Sequence, residues 1–276
     1  MSASLRNKAQ KNPKIDPKSI KVAERTITID ALMISSTLIK NFDQMIAHYD
    51  ARSEFSEALG HALARACELH TFIELAKVSH AAKAIDDADQ VNGQWLENDK
   101  FRICTGGASG TAELAAAVFE ALLRAGEIME DAEVDTDEGV MAALPLTSYN
   151  ALITEAAKNG LSYINKNVGG EGSVATGKIP YLAGCTLFKA PKLPKTNIAS
   201  AGVNKYHYGD FTKLAGMVFK RDAVGRLDLM NVSVENQYMI EYQGDLVLAK
   251  LACGMGGLRP EESVALELDT LTNQTA

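Results

Sequence analysis

The chain has 276 residues, 46% hydrophobic and 23% charged, with a formal net charge of −7. That is an ordinary composition for a globular protein able to bury one large core or two modest ones, and it excludes a disordered, collagenous or disulfide-dense chain. No apolar run reaches the length of a membrane span, no apolar leader follows the N-terminal Met-Ser-Ala-Ser-Leu-Arg, and Cys67, Cys104, Cys185 and Cys253 form no Cys-x-x-Cys pair, which points to reduced thiols.

Charge is unevenly distributed. Residues 1–25 carry seven Lys or Arg against Asp16 and Glu24, a balance of +5 that leaves −12 for the rest. Pro13 and Pro17 make this segment an extended arm. Its lysines recur about every third residue without aromatics to stack on bases, so we read it as a segment that docks on acidic surfaces of neighbouring copies. The alternative is a nucleic-acid-binding arm.

From Thr26 the alternation Thr-Ile-Thr-Ile-Asp-Ala-Leu-Met-Ile predicts a strand, followed by a short helical turn around Asp43–His48. Asp50 then reads as the N-cap of a long helix reaching His80, with Glu54 in its first turn. Phe55, Leu59, Ala62, Leu63, Ala66, Phe72, Ile73 and Ala76 mark its apolar side; Glu54, Glu57, His61, Arg65 and Glu68 mark the other. Gly60, inside this helix, suggests the close approach of another backbone.

Residues 86–110 read as loop, and Thr111 caps a second helix running to about Met129. Val140–Leu146 is a buried-strand candidate, and Pro145–Ala157 turns into a short helix. Asn159–Gly184 reads as a Gly- and Asn-rich loop. Cys185–Ala190 and Leu214–Lys220 are strand candidates, and Leu227–Leu268 is strand-like apart from Gly244 and a turn at Gly254–Pro260. The mixture is α+β, not an alternating βαβ series.

Gly172-Ser-Val-Ala-Thr-Gly-Lys178 fits the first seven positions of a phosphate-binding loop and supports an alternative reading as a nucleotide-binding protein. Ile179 stands where a magnesium-ligating Ser or Thr belongs, Pro180 where a helix should begin, and Tyr163–Asn167 before it is largely polar. Gly106-Gly107-Ala108-Ser109-Gly110 lacks the dinucleotide-binding spacing and reads as a loop into a helix. His48, His61, His70 and His80 are spaced by 13, 9 and 10 residues, which does not form an i, i+4 metal pair, and His207 stands alone. The adjacent pairs Asp86-Asp87 and Glu261-Glu262 read as solvated surface. These patterns give no catalytic, cofactor-binding or metal-ligating residues and no enzyme.

Two segments carry a resemblance. The first is Glu24-Arg-Thr-Ile-Thr-Ile-Asp30, continuing through Leu38-Ile39 to His48-Tyr-Asp-Ala-Arg-Ser-Glu-Phe55. The second is Gly244-Asp245, Ala249-Lys250 and Gly254-Met-Gly-Gly-Leu-Arg-Pro-Glu261. In this order and separation, with Pro145–Ile153 and Asp222-Ala-Val-Gly225 between them, they resemble the major capsid protein of T-seven-like short-tailed bacteriophages, in patches from about Ile20 to Leu268.

The resemblance implies the Hong Kong 97-like capsid fold, with a long spine helix, peripheral and axial domains, an N-terminal arm and an extended E-loop. Residues 1–35 would hold the basic segment and the returning E-loop strand, and 36–100 the peripheral domain with the spine helix. Residues 101–224 would form the axial domain, and 225–276 the strands returning to the peripheral domain. Family members carry an arm and an outgoing E-loop strand ahead of the position of Lys11, and this chain begins near there, so the E-loop is expected to be partial. The implied function is a shell subunit forming hexamers and pentamers of an icosahedral head around double-stranded DNA. Its expected partners are copies of itself, a scaffolding protein and a portal, with DNA by non-specific proximity and no membrane. Lys21, Arg25, Arg52, Gly254, Gly256, Gly257, Arg259, Pro260 and Glu261 are the candidate interface or turn residues. The glycines of the Gly254–Glu261 turn are expected to supply positive φ.

Overall fold

The structure, a computed structural model, describes residues 24–29, 32–46, 51–83, 91–97, 108–159, 179–198 and 207–268. In chain order these form β1 (Met33–Lys40), α1 (Asn41–Ile46), α2 (Ala51–Ser79), β2 (Gln94–Glu97), α3 (Ala108–Asp131), β3 (Met141–Leu144) and α4 (Leu146–Asn159). There follow β4 (Tyr181–Leu182), β5 (Cys185–Lys189), β6 (Asn197–Ile198), β7 (Gly209–Asp210), β8 (Leu214–Phe219), β9 (Val224–Met239), β10 (Gly244–Gly257) and β11 (Ser263–Glu267).

Two sheets share one helix. A mixed sheet of order β2-β11-β8-β3-β5-β4 is covered on both faces, and its strands alternate accordingly. Ala142, Leu144, Val218, Val264 and Leu266 point into a core built with Leu114, Val118, Leu122, Met129 and Leu152 of α3 and α4. Their neighbours Ala143, Met217 and Ala265 point the other way, onto Phe72, Ile73 and Ala76 of α2. The second sheet, β1-β10-β9, is antiparallel and packs Val247, Ala249, Leu251, Cys253 and Met255 against Leu59, Leu63 and Cys67. The chain leaves the first sheet from β8 into β9 and returns from β10 into β11.

This arrangement explains how burial changes along α2. Leu59, Leu63 and Cys67 recur every fourth residue, a single stripe that covers one sheet, whereas His70, Phe72, Ile73, Leu75, Ala76, Val78 and Ser79 are buried around the whole circumference. The expectation of one apolar face therefore holds only for the first half of the helix. Phe55 and Ala62, assigned to that face, are exposed. Gly60 has open space where a side chain would stand, so no backbone among the described residues packs on it, contrary to the sequence reading.

Three further expectations are corrected. Thr26–Ile29 is not a strand; regular pairing begins at Met33. The loop read over 86–110 contains β2, which pairs in parallel with β11, and α3 begins at Ala108, three residues before Thr111. The turn expected over Gly254–Glu261 is shorter than predicted. Gly254, Gly256 and Gly257 belong to β10, and none of them has positive φ.

Those glycines answer to packing instead. Alternation along β10 turns Gly257 toward α2, where any Cβ would overlap the Val78 side chain. Gly254 and Gly256 face away, under the segment 24–29: a Cβ on Gly254 would stand 2.5 Å from the Thr28 carbonyl oxygen, and one on Gly256 3.0 Å from the Ile27 side chain. Gly225, opposite Gly256 in β9, is likewise covered by Ile27. The Gly-x-Gly-Gly run thus lets backbone on one face and a helix on the other approach a single strand.

Gly257→Ala should cost about 1–3 kcal/mol in denaturant unfolding, and in combination with Val78→Ala the total loss should be smaller than the sum of the two single losses. Gly60→Ala, with no neighbour to strike, should instead raise stability by about 1 kcal/mol through helix propensity.

Candidate assembly surface

At the end of the three-stranded sheet, β9 and β10 are joined by a 3-10 turn, Ile240–Tyr242, followed by Gln243 in the left-handed conformation. α1 is fixed beside it: the Asn41 amide donates to the Gln243 carbonyl (3.0 Å), and its side-chain amide donates to the Tyr238 hydroxyl (3.1 Å). This tip carries large apolar side chains that no described residue covers. Phe42 is 71% exposed, Met45 85% and Ile240 79%, with Ile46, Tyr238 and Tyr242 also exposed.

β9 continues this surface. It occupies an edge of its sheet along 16 residues, with Leu227, Leu229, Val232 and Val234 exposed. Val234 and Tyr238 pair with Ala249 and Asp245, both buried, and so share the face that α2 covers over β10. The helix does not reach them. Isolated exposed apolar residues are common, but a contiguous group of this size marks an interaction surface.

Several of the residues singled out from sequence lie at the opposite end of the sheet. Arg25, Gly257 and Pro260 line one cavity of about 160 Å³ together with Glu74, Lys77, Val78 and Ala81. The Arg25 guanidinium also reaches the Ala82 carbonyl at 3.5 Å. Arg259 donates to Glu262 (2.9 Å), a buried residue three positions along the same chain. Glu262 is therefore not the solvated surface residue expected of the Glu261-Glu262 pair. Pro260 opens the 3-10 turn Pro260–Glu262 and is buried; Glu261 is half-buried. Arg52 sits in the first turn of α2, while Lys21, the phosphate-loop-like Gly172–Lys178, Gly106-Gly107 and His48 lie outside the described residues. Ile179, just beyond that loop, is fully buried. The Tyr149 hydroxyl donates to its carbonyl (3.1 Å) and accepts from its amide (2.7 Å), so this position anchors the core.

Sequence reasoning missed a histidine cluster. His70 on α2 and His207 are buried and stacked, with ring centroids 4.3 Å apart. His207 Nδ1 lies 2.9 Å from Glu74, which also accepts from Lys77 at 2.9 Å. A spacing of 137 residues between the two rings leaves no local signal. Burial alone would push the Glu74 carboxyl up, but hydrogen bonds from His207 and Lys77 outweigh it and hold it below its ordinary value. Among the described residues, no group of three or more His, Cys, Asp or Glu could hold a metal, and no helix is long and apolar enough to cross a membrane.

Comparison with known proteins gives the class of this architecture, a phage capsid subunit of the Hong Kong 97-like type. The capsid structure of cyanophage P-SCSP1u superposes with a TM-score of 0.75 at 26% identity, over 98% of this chain and 80% of that one. The major capsid proteins of Enterobacteria phage T3 and Escherichia phage T7 are 27% and 25% identical over 91% and 90% of this chain, covering 75% and 74% of theirs. Residues 7–267 match the Gp10A-like major capsid protein family, and the chain belongs to that family. These relatives give no support to the nucleotide-binding or nucleic-acid-binding alternatives.

Glu74 supplies a pH test. Its folded-state pKa is depressed, so its contribution to stability is present above the ordinary value of 4.5 and is lost as pH falls through the lower folded value. Melting temperature should therefore fall on acidification below about pH 4.5. Glu74→Gln should cost about 1–3 kcal/mol at neutral pH and remove that part of the acid sensitivity.

Proposed function

We propose that this major capsid protein assembles into the hexamers and pentamers of an icosahedral phage head around double-stranded DNA. The observation that carries this reading is the bare apolar tip of α1 and the β9–β10 turn, continued along the free edge of β9. A subunit whose end exposes Phe42, Met45 and Ile240 gains burial by packing on other copies. On this reading residues 36–100 and 225–276 form the peripheral domain and 101–224 the axial domain. The six-stranded sheet joins them, since it takes β2 and β11 from the first and β3, β4, β5 and β8 from the second.

Lys21, Arg25 and Arg52 supply cations to acidic surfaces of adjacent copies, as the charge asymmetry of the chain favours. Gly254, Gly256, Gly257, Arg259, Pro260 and Glu261 shape the junction between α2, the strands and the 24–29 segment. A scaffolding protein and a portal take part during assembly in the bacterial cytoplasm. DNA is enclosed by proximity, because a strongly basic inner wall would hold the genome too tightly for release. The chain acts by assembly and catalyses no reaction.

Met45→Asp combined with Ile240→Asp tests this. Negative-stain electron microscopy and sedimentation should show shells, tubes or rings for the parent with its scaffold and only small species for the variant. The stability of the variant subunit should stay within about 0.5 kcal/mol of the parent, as expected for exposed sites. Normal shells from the double variant would overturn the assignment of this surface.

A further inference from the structure

Two of the four cysteines meet between α2 and β10. Cys67 and Cys253, 186 residues apart in sequence, are both buried, and their sulfurs stand 3.9 Å apart. Their meeting follows from register. Cys67 continues the Leu59, Leu63 stripe of the helix, and Cys253 lies between Leu251 and Met255 in the strand row that faces it. A disulfide needs a separation of about 2.05 Å, so the sulfurs must close by a little under 2 Å. A change of side-chain torsion and a small shift of the helix on the strand can supply that. Arg226, ion-paired to Asp228 on the strand alongside, lends its charge to the Cys253 thiolate. The only other thiol among the described residues, Cys185, donates a hydrogen bond to the Ala183 carbonyl.

We propose that Cys67 and Cys253 are a dithiol that closes under oxidising conditions to an intrachain disulfide, joining the long helix to the central strand. With a small-molecule disulfide as oxidant, one cysteine thiolate attacks it and expels one small thiolate. The second cysteine thiolate then attacks the protein-bound sulfur and expels the other. In sum, two protein thiols and one small disulfide give one protein disulfide and two small thiols, which carry away the two electrons and two protons. Closing a loop this long restricts the unfolded chain strongly and raises stability. The dithiol stays open in a reducing cytoplasm and closes outside it. This chemistry belongs to the single chain and does not depend on how copies assemble.

Burial first, and then the neighbouring Cys67, push the Cys253 thiol up to about 11, so closure should quicken roughly tenfold per pH unit between pH 7 and 10. The test has two arms: refolding the full chain from denaturant in a glutathione/glutathione-disulfide buffer, and treating the folded chain with diamide. Thiols are then counted under denaturing conditions and unreduced peptides are mapped by mass spectrometry. We expect the count to fall from four to two, a single Cys67–Cys253 linkage, and a melting temperature about 5–15 °C above that of the reduced chain. Cys67→Ser should retain three thiols and lose the rise, whereas Cys185→Ser should still lose two. Four thiols after refolding in oxidising buffer, or a linkage that involves Cys104 or Cys185 or joins two chains, would overturn the proposal.

Discussion

The packing of α2 on β10 is the constraint from which the rest of the structure follows. β10 presents Cys253, Met255 and Gly257 to the helix in strict alternation, opposite Cys67, Thr71 and Val78. The thiols touch, the Thr71 hydroxyl donates to the Met255 sulfur at 3.1 Å, and the missing side chain of Gly257 admits Val78. The intervening positions, Gly254 and Gly256, are empty for the layer above, where residues 24–29 cross. A methyl group at any of these three glycines meets atoms already in place, so the helix, the strand and the crossing segment fix one another.

Beyond that contact, α2 holds the two sheets together by serving each with a different stretch. Its first half needs only the Leu59–Leu63–Cys67 stripe, because one sheet lies beneath it and the remaining faces are exposed. Its second half is enclosed between the β1-β10-β9 junction and the six-stranded sheet, and there even His70 and Ser79 are buried. Ser79 meets the demand by donating to the Ala76 carbonyl, and Glu74 by accepting from both His207 and Lys77. A buried polar group is tolerable where such partners are built in.

Much of this was legible in the sequence because the signals are local. The 29-residue helix, the runs that became β3, β5 and β8, and the paired motifs of the capsid family needed only spacing and composition. The failures share a cause as well. Gln-Trp-Leu-Glu of β2 is four residues in a polar stretch, and it is a strand only because β11, some 170 positions away, offers a parallel edge. Thr26–Ile29 alternates like a strand, yet lies across glycines instead of beside a ladder. The glycines of β10 suggested positive φ because that is their commonest use, whereas here they serve close approach. For the apolar residues of β9 and α1, spacing alone carries no sign of exposure. Only the placement of the other elements reveals that no described residue covers them.

The separation between Cys67 and Cys253 has a consequence for biosynthesis. When the ribosome has just added Cys67, its contact point on the strand that covers the stripe is still 186 residues from being made. At roughly 5–20 residues per second, Leu59, Leu63 and Cys67 wait on the order of 10–40 seconds for their partners. The six-stranded sheet has the same requirement, since β11, its second strand in spatial order, is the last in sequence of the described elements. Neither sheet can close until those strands have been made. The nascent subunit therefore passes through a long interval with adhesive helix and strand surfaces uncovered, while identical chains are being made on neighbouring ribosomes. Its yield should be governed by how well that interval is shielded, by chaperones or by slow initiation, more than by the stability of the finished fold.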